Sequence, residues 1–135
     1  MKIVLTGHKG FIGSHYYDHI KSNNEVTAYD KINGDNLCDP ERTNQMPNCD
    51  VVVHMAATNG TKLFYDIPTD VAFNNTIPTF NLIKRYIKTN TKFVFTSTCE
   101  IFNGAIDKGL YNVPTDENVP IHFEDILNPR WSYSI

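Results

Sequence analysis

Three glycines at fixed spacing and one acidic residue carry the clearest chemistry in the chain. Gly7-His8-Lys9-Gly10-Phe11-Ile12-Gly13 follows a short apolar run, Lys2–Thr6, and opens a segment of helical character. Gly7 permits a tight turn, Gly10 lets a pyrophosphate approach the backbone, and Gly13 lets a helix pack closely on a sheet. A helix start adds unpaired N–H groups and a positive partial charge, both suited to phosphate. Lys9, Phe11 and Ile12 are candidates for the same cradle. Asp30 lies 17 residues past Gly13, at the end of a second apolar run. A carboxylate there accepts hydrogen bonds from both hydroxyls of an adenosine ribose and repels a 2′-phosphate, so NAD is expected over NADP; Lys31 beside it softens the preference. The bland alternative is an ordinary turn with a surface aspartate. The position of the loop, directly between a predicted strand and a predicted helix, argues against it. The spacing is G-x-x-G-x-x-G, not the commoner G-x-G-x-x-G.

The elements that must position these residues follow from periodicity. Lys2–Thr6 reads as a buried strand. Residues 11–22 read as a helix with Ile12, Tyr16 and Ile20 on one face, and residues 26–30 as a second strand. Residues 34–39 are expected to be a short third strand or an extended turn, and residues 40–46 one or two helical turns. Residues 50–57 form a further strand. A long helix is expected from Pro68 to about residue 90, with Pro at its first turn. It carries Val71, Ile77, Leu82, Ile83 and Ile87, with a kink or break at Pro78. Residues 92–97 give another strand. Beyond residue 104 the pattern fades, apart from a helical stretch at 123–127; residues 131–135 are too few to nucleate a helix alone. Strands alternating with helices imply an α/β fold, a doubly wound parallel sheet. The expected strand order is 3-2-1-4-5, with a ligand at the switch point between the first and fourth strands.

Composition excludes several classes. The 135 residues suffice for one domain with a core. Net charge is −3, which gives no reason to expect nucleic acid. Lys84, Arg85, Lys88 and Lys92 read as a solvated helix face. The apolar runs are too short to cross a bilayer, and the N-terminus lacks a signal-peptide layout. The three cysteines, Cys38, Cys49 and Cys99, lack metal spacing and read as free thiols in a reducing cytoplasm.

With Thr6-Gly7-His8-Lys9-Gly10-Phe11-Ile12-Gly13-Ser14-His15 in view, the sequence resembles the extended short-chain dehydrogenase/reductase family, and within it the NAD-dependent sugar-nucleotide epimerases and dehydratases. That family opens with T-G-x-x-G-F-I-G-S-H after its first strand. Its acidic residue matches Asp30. Its short G-D-I/L stretch bordering adenine is similar to Gly34-Asp35-Asn36-Leu37, with Asn36 and Leu37 as contacts. Its D-x-V-x-H-L-A-A matches residues 50–57, with Met55 for Leu, so that Ala56, Ala57 and Thr58 would line the cofactor. Its helix asparagine matches Asn75, with Pro78 where glycine is usual. Its S-S/T-x-x-V-Y-G stretch matches residues 97–104, with Phe102 for Tyr and one extra residue, placing Ser97 by the cofactor. Residues 128–133 resemble the approach to its catalytic Y-x-x-x-K. The resemblance covers essentially the whole chain, in order.

The resemblance implies hydride transfer between a nucleotide-sugar and a Rossmann-bound NAD. Tyr133 would take the hydroxyl proton and Thr98 would orient the reacting oxygen. A free tyrosine, with a pKa near ~10, is a poor base at neutral pH. The family lowers that value with a lysine four residues further on, on the same helix face. That lysine would lie beyond residue 135, so the chain is expected to be a truncated, cofactor-binding Rossmann portion, inactive alone and without the C-terminal substrate domain. Glu100 is either an acid/base residue sorting epimerase from dehydratase or decarboxylase, or a solvent-facing one. The alternatives are a stand-alone NAD-binding or partner-binding module, and a remnant prone to association. A homo-oligomer is possible in this family, whose members dimerise through two helices. No metal is expected: His15 and His19 are spaced i, i+4 but have no third ligand. His54 is expected to pack, and Asp66 and Asp70 to complement a helix dipole.

Overall fold

The computed structural model describes residues 1–122, 125 and 127–133. They divide into two compact units: Met1–Ala57 with Asn74–Thr96, and Thr58–Phe73 with Ser97–Ile135.

The first unit is built on a parallel sheet. Lys2–Thr6 (β1) pairs with Glu25–Tyr29 (β2) on one side and with Val51–His54 (β3) on the other, and Lys92–Phe95 (β4) completes the order β2-β1-β3-β4. Parallel strands need crossovers, and helices supply them: Phe11–Ile20 (α1), Pro40–Asn44 (α2) and Pro68–Tyr86 (α4), which follows the short Thr61–Asp66 (α3). The pleat sends alternate side chains to opposite faces. Val4 and Val52 pack with Leu82 and Tyr86 of α4, together with Tyr29, Leu37 and Met46. Ile3, Leu5 and Val53 pack on the other face with Ile20 of α1. Each such side chain stabilises the unit by roughly 1.5–3 kcal/mol, and both faces of the sheet are covered, which is the doubly wound arrangement.

Several expectations need correction. Of the two readings of residues 34–39, a short strand or an extended turn, the turn holds and no strand forms. Asp30 caps a 3₁₀ turn over Lys31–Asn33, Gly34 has φ of 88°, and the chain turns away from the sheet edge. The observed order therefore lacks the expected third strand, while the switch point between β1 and the next strand inward, β3, is as expected. Pro78 does not break α4. It is buried inside a helix that continues from Pro68 to Tyr86, and one turn is laced by the Thr79 hydroxyl donating to the Asn75 carbonyl at 2.8 Å. The helix ends at Tyr86, so Ile87 lies past it and is exposed, as is Ile83. Of the expected apolar face of α1, Ile20 is buried and Tyr16 packs against the same cluster, whereas Ile12 is exposed and the face continues through Gly13 and Tyr17.

The second unit holds α3, the first turns of α4, a 3₁₀ turn over Cys99–Phe102 leading into Asn103–Asp107 (α5), and another over Pro129–Ser132. Phe64, Val71, Ala105 and Trp131 are buried there. The helical stretch expected at 123–127 rests on Phe123, Glu124 and Ile126, which lie outside the described residues.

Candidate functional site

At the carboxyl end of β1 the chain turns through Gly7, whose φ of 79° favours glycine. The turn is closed by the Gly7 N–H on the Tyr29 carbonyl (2.9 Å) and the Gly10 N–H on the Gly7 carbonyl (3.0 Å). A Cβ on Gly7 would stand 2.6 Å from the Ala56 nitrogen; one on Gly13 would stand 2.8 Å from the Gly7 carbonyl carbon and nearer still to its oxygen. These two glycines are therefore packing requirements. Gly10 is different. It is exposed, and a Cβ there would meet only the Gly7 oxygen, at 3.3 Å. The backbone is bare at that point, as close approach by a phosphate group requires. Gly10 is also the N-cap of α1 and offers no side-chain cap. The first-turn N–H groups of Phe11, Ile12 and Gly13 have no intrahelical acceptor, so they can serve an outside anion. The side chains of Phe11 and Ile12 are exposed, as is that of Lys9.

Asp30 stands next to this loop. One carboxylate oxygen accepts the Lys9 N–H at 2.9 Å and the other the Ile32 N–H at 3.0 Å. The residue is only 9% exposed. A carboxylate oxygen can accept two hydrogen bonds, so each retains capacity for one further donor, as a ribose diol would supply. Lys31 is exposed beside it. Asn36 is exposed and its side-chain oxygen accepts the Cys38 N–H at 3.2 Å, whereas Leu37 is buried in the core with its side chain given to packing.

Two features escaped sequence reasoning. The first is the support behind Asp30. Its own N–H donates to an Asp35 carboxylate oxygen at 2.9 Å, and Arg42 of α2 pairs with the other Asp35 oxygen. The second is a buried chain of hydrogen bonds under the sheet end. The Ala56 N–H donates to the Thr6 hydroxyl (3.2 Å), which meets His54 Nδ1 (2.6 Å); His54 Nε2 meets the Thr79 hydroxyl (3.0 Å). Burial alone holds the His54 pKa down to about 4. No local motif announces either, since the partners lie far apart in sequence. Asn75 is half-buried, Ala56 half-buried and Ala57 exposed.

The second unit gathers the residues expected to do proton chemistry. The Thr98 hydroxyl accepts the Glu100 N–H at 3.3 Å. Glu100 is neither isolated nor turned to solvent: its carboxylate receives Arg130 Nη2 at 2.6 Å, Arg130 Nε at 3.2 Å and the Asn103 amide at 2.9 Å. The Tyr133 ring stacks on Phe64, centroids 5.0 Å apart and planes 22° apart. Thr58 is half-buried; Ser97 and Cys99 are exposed. Among the described residues no group of three or more His, Cys, Asp or Glu is placed to hold a metal, and no helix is long and apolar enough to cross a membrane. His15 Nδ1 is engaged with the Phe11 carbonyl at 2.8 Å.

Comparison with known proteins places this geometry. A UDP-N-acetyl-alpha-D-glucosaminuronate decarboxylase of Bacillus cytotoxicus is 27% identical over 99% of this chain and 46% of its own length. A crystal structure of a UDP-galactose 4-epimerase superposes with a TM-score of 0.78 at 27% identity, covering 99% of this chain and 48% of that one. A UDP-glucose 4-epimerase of Thermotoga maritima, solved with UDP-glucose, gives 0.68 at 26% identity, covering 75% and 39%. The chain thus spans less than half the length of these relatives. The family model for the NAD dependent epimerase/dehydratase family matches residues 3–135, so the chain, with its Rossmann-like sheet and glycine loop, belongs to that family.

Proposed function

We propose that these residues are the cofactor-holding portion of an NAD-dependent enzyme acting on a nucleotide-sugar. The observation that carries the reading is Asp30: a nearly buried carboxylate, tied by one oxygen to the glycine loop itself and left with acceptor capacity on both. Gly10 and the first turn of α1 would receive the pyrophosphate, Asp30 the adenosine ribose hydroxyls, and Ala56 and Ala57 at the end of β3 would border the rest of the dinucleotide. The bound NAD would supply a hydride acceptor and donor. In the second unit Tyr133 would accept the sugar hydroxyl proton and Thr98 would orient the oxygen.

The activities of the relatives, epimerisation and decarboxylation of UDP-sugars, support a nucleotide-sugar as substrate class. Binding is a sharper test than turnover, because it reads the glycine loop and Asp30 directly. Isothermal titration of the chain with NAD should give a saturable 1:1 signal that Asp30→Ala weakens at least about tenfold, the loss of a charge-assisted hydrogen-bond pair. Absence of saturable heat with the wild-type chain, confirmed by no NAD-induced rise in melting temperature, would overturn the reading.

A further inference from the structure

Asp30 and Asp35 are two nearly buried carboxylates five residues apart, joined by reciprocal hydrogen bonds. The Asp30 N–H donates to the Asp35 carboxylate at 2.9 Å, and the Asp35 N–H donates to the Asp30 carbonyl at 3.2 Å. A second negative charge beside the first is costly unless neutralised. Arg42 neutralises it. Its Nε and Nη2 both address one Asp35 oxygen, and its guanidinium lies 5.1 Å from the centroid of the Tyr29 ring. Burial works to raise the Asp35 carboxyl, but Arg42 and the Asp30 amide outweigh it and hold the group below the ordinary carboxylate range.

The ion pair has a consequence for recognition. Arginine is the side chain best shaped to grip a phosphate with two parallel N–H donors. Arg42 stands one hydrogen-bonded link from the Asp30 main chain, and its side chain is 39% exposed. Left free, it would offer a 2′-phosphate a partner beside the carboxylate meant to repel it. Lys9 and Lys31 are also near Asp30, but both are exposed and solvated.

We propose that Asp35 is a specificity-determining residue that acts through Arg42, withholding its guanidinium from the 2′ position so that Asp30 alone sets the choice of NAD over NADP. The inference rests on the dinucleotide reading above. It is tested by titrating the wild-type chain, Asp35→Asn and the double variant Asp35→Asn/Arg42→Met with NAD and with NADP, alongside thermal melts. Asp35→Asn keeps the side-chain shape but removes the charge that holds Arg42 and leaves one acceptor oxygen for two donors, the Asp30 N–H and Arg42. The guanidinium's hold is thereby loosened, and the NAD:NADP affinity ratio should fall about tenfold, the scale of one charge-assisted contact. The double variant removes the freed cation and carries no buried charge at the pair, so the ratio should return to within about twofold of wild type. If Asp35→Asn weakens both dinucleotides by one common factor, or the double variant keeps the lowered ratio, Asp35 is merely structural and the proposal fails. A wild-type chain that binds neither dinucleotide defeats the dinucleotide reading first, a result distinguishable from a ratio that does not move.

Discussion

His54 Nδ1 lies 2.6 Å from the Thr6 hydroxyl, and the proton between them belongs to Thr6. The direction follows from the ends of the chain of bonds. At one end the Ala56 N–H can only donate; at the other the Asn75 carbonyl can only accept, and it takes the Thr79 hydroxyl proton. Thr79 therefore has no proton for His54 Nε2, which must carry its own and donate it. Nδ1 is left bare and accepts from Thr6.

A neutral His54 should make the first unit acid-sensitive. Its folded pKa of about 4 lies below the usual 6.5, so the unfolded chain binds the extra proton more readily. Stability then rises with pH between those values: it is undiminished above about 6.5 and lost as pH falls toward 4. The full effect is on the order of 3 kcal/mol. Urea unfolding at pH 7 and pH 4.5 should show it, and His54→Gln should flatten the difference. Equal acid sensitivity in both proteins would refute the assignment to His54.

The two threonines of that chain should differ in cost. Thr79→Val strands one buried donor, His54 Nε2, for a loss of about 1–3 kcal/mol. Thr6→Val strands the Ala56 N–H and His54 Nδ1 together, so its loss should be larger. Denaturant midpoints decide the ranking; the reverse order would contradict this assignment of the Thr6 and Thr79 partners.

Gly13 and Gly10 should separate folding from binding. Gly13→Ala drives a Cβ into the Gly7 carbonyl and should cost more than about 3 kcal/mol, or prevent folding. Gly10→Ala meets a single atom at 3.3 Å and should fold with a loss below about 1 kcal/mol. Its added methyl would nevertheless occupy the bare backbone face and weaken NAD binding. Circular dichroism melts and NAD titration of both variants check the contrast.

Glu100→Gln should loosen the second unit locally. It removes the charge facing Arg130 while leaving an acceptor, and a partly exposed pair of this kind contributes about 1 kcal/mol or less. Hydrogen exchange of the amides around residues 98–103 should quicken, with those of β1 and β3 unchanged. Uniform quickening across both units would argue against a local role.

The parts of the molecule legible in the sequence are those written by local residue types. Gly7, Gly10, Gly13 and the apolar run before them specify turn, approach and strand within a few residues, and Pro68 marks a helix start that the structure keeps. Periodicity leaves residues 34–39 open between strand and turn, and the turn holds because Asn33-Gly34-Asp35 is turn chemistry and Asp30 caps the turn from outside the segment. α3 went unseen because six residues, Thr61–Asp66, show too little period to register. Pro78 was read by its missing N–H alone, whereas the helix persists with its neighbour Thr79 bonded back to Asn75. Asp35 and Arg42 gave no signal, since an ion pair seven residues apart across a turn and a helix has no repeating pattern.

The contact of Gly13 beneath the Gly7 carbonyl leaves the loop no slack. Its shape is set when the sheet and α1 form, so the ordering entropy is lost on folding and not on capture of a ligand. Association should then be a single fast step without a slow rearrangement phase. The amides of Gly7, Lys9 and Gly10, already bonded, should be protected from exchange in the free chain, and those of Phe11, Ile12 and Gly13 should gain protection only on capture.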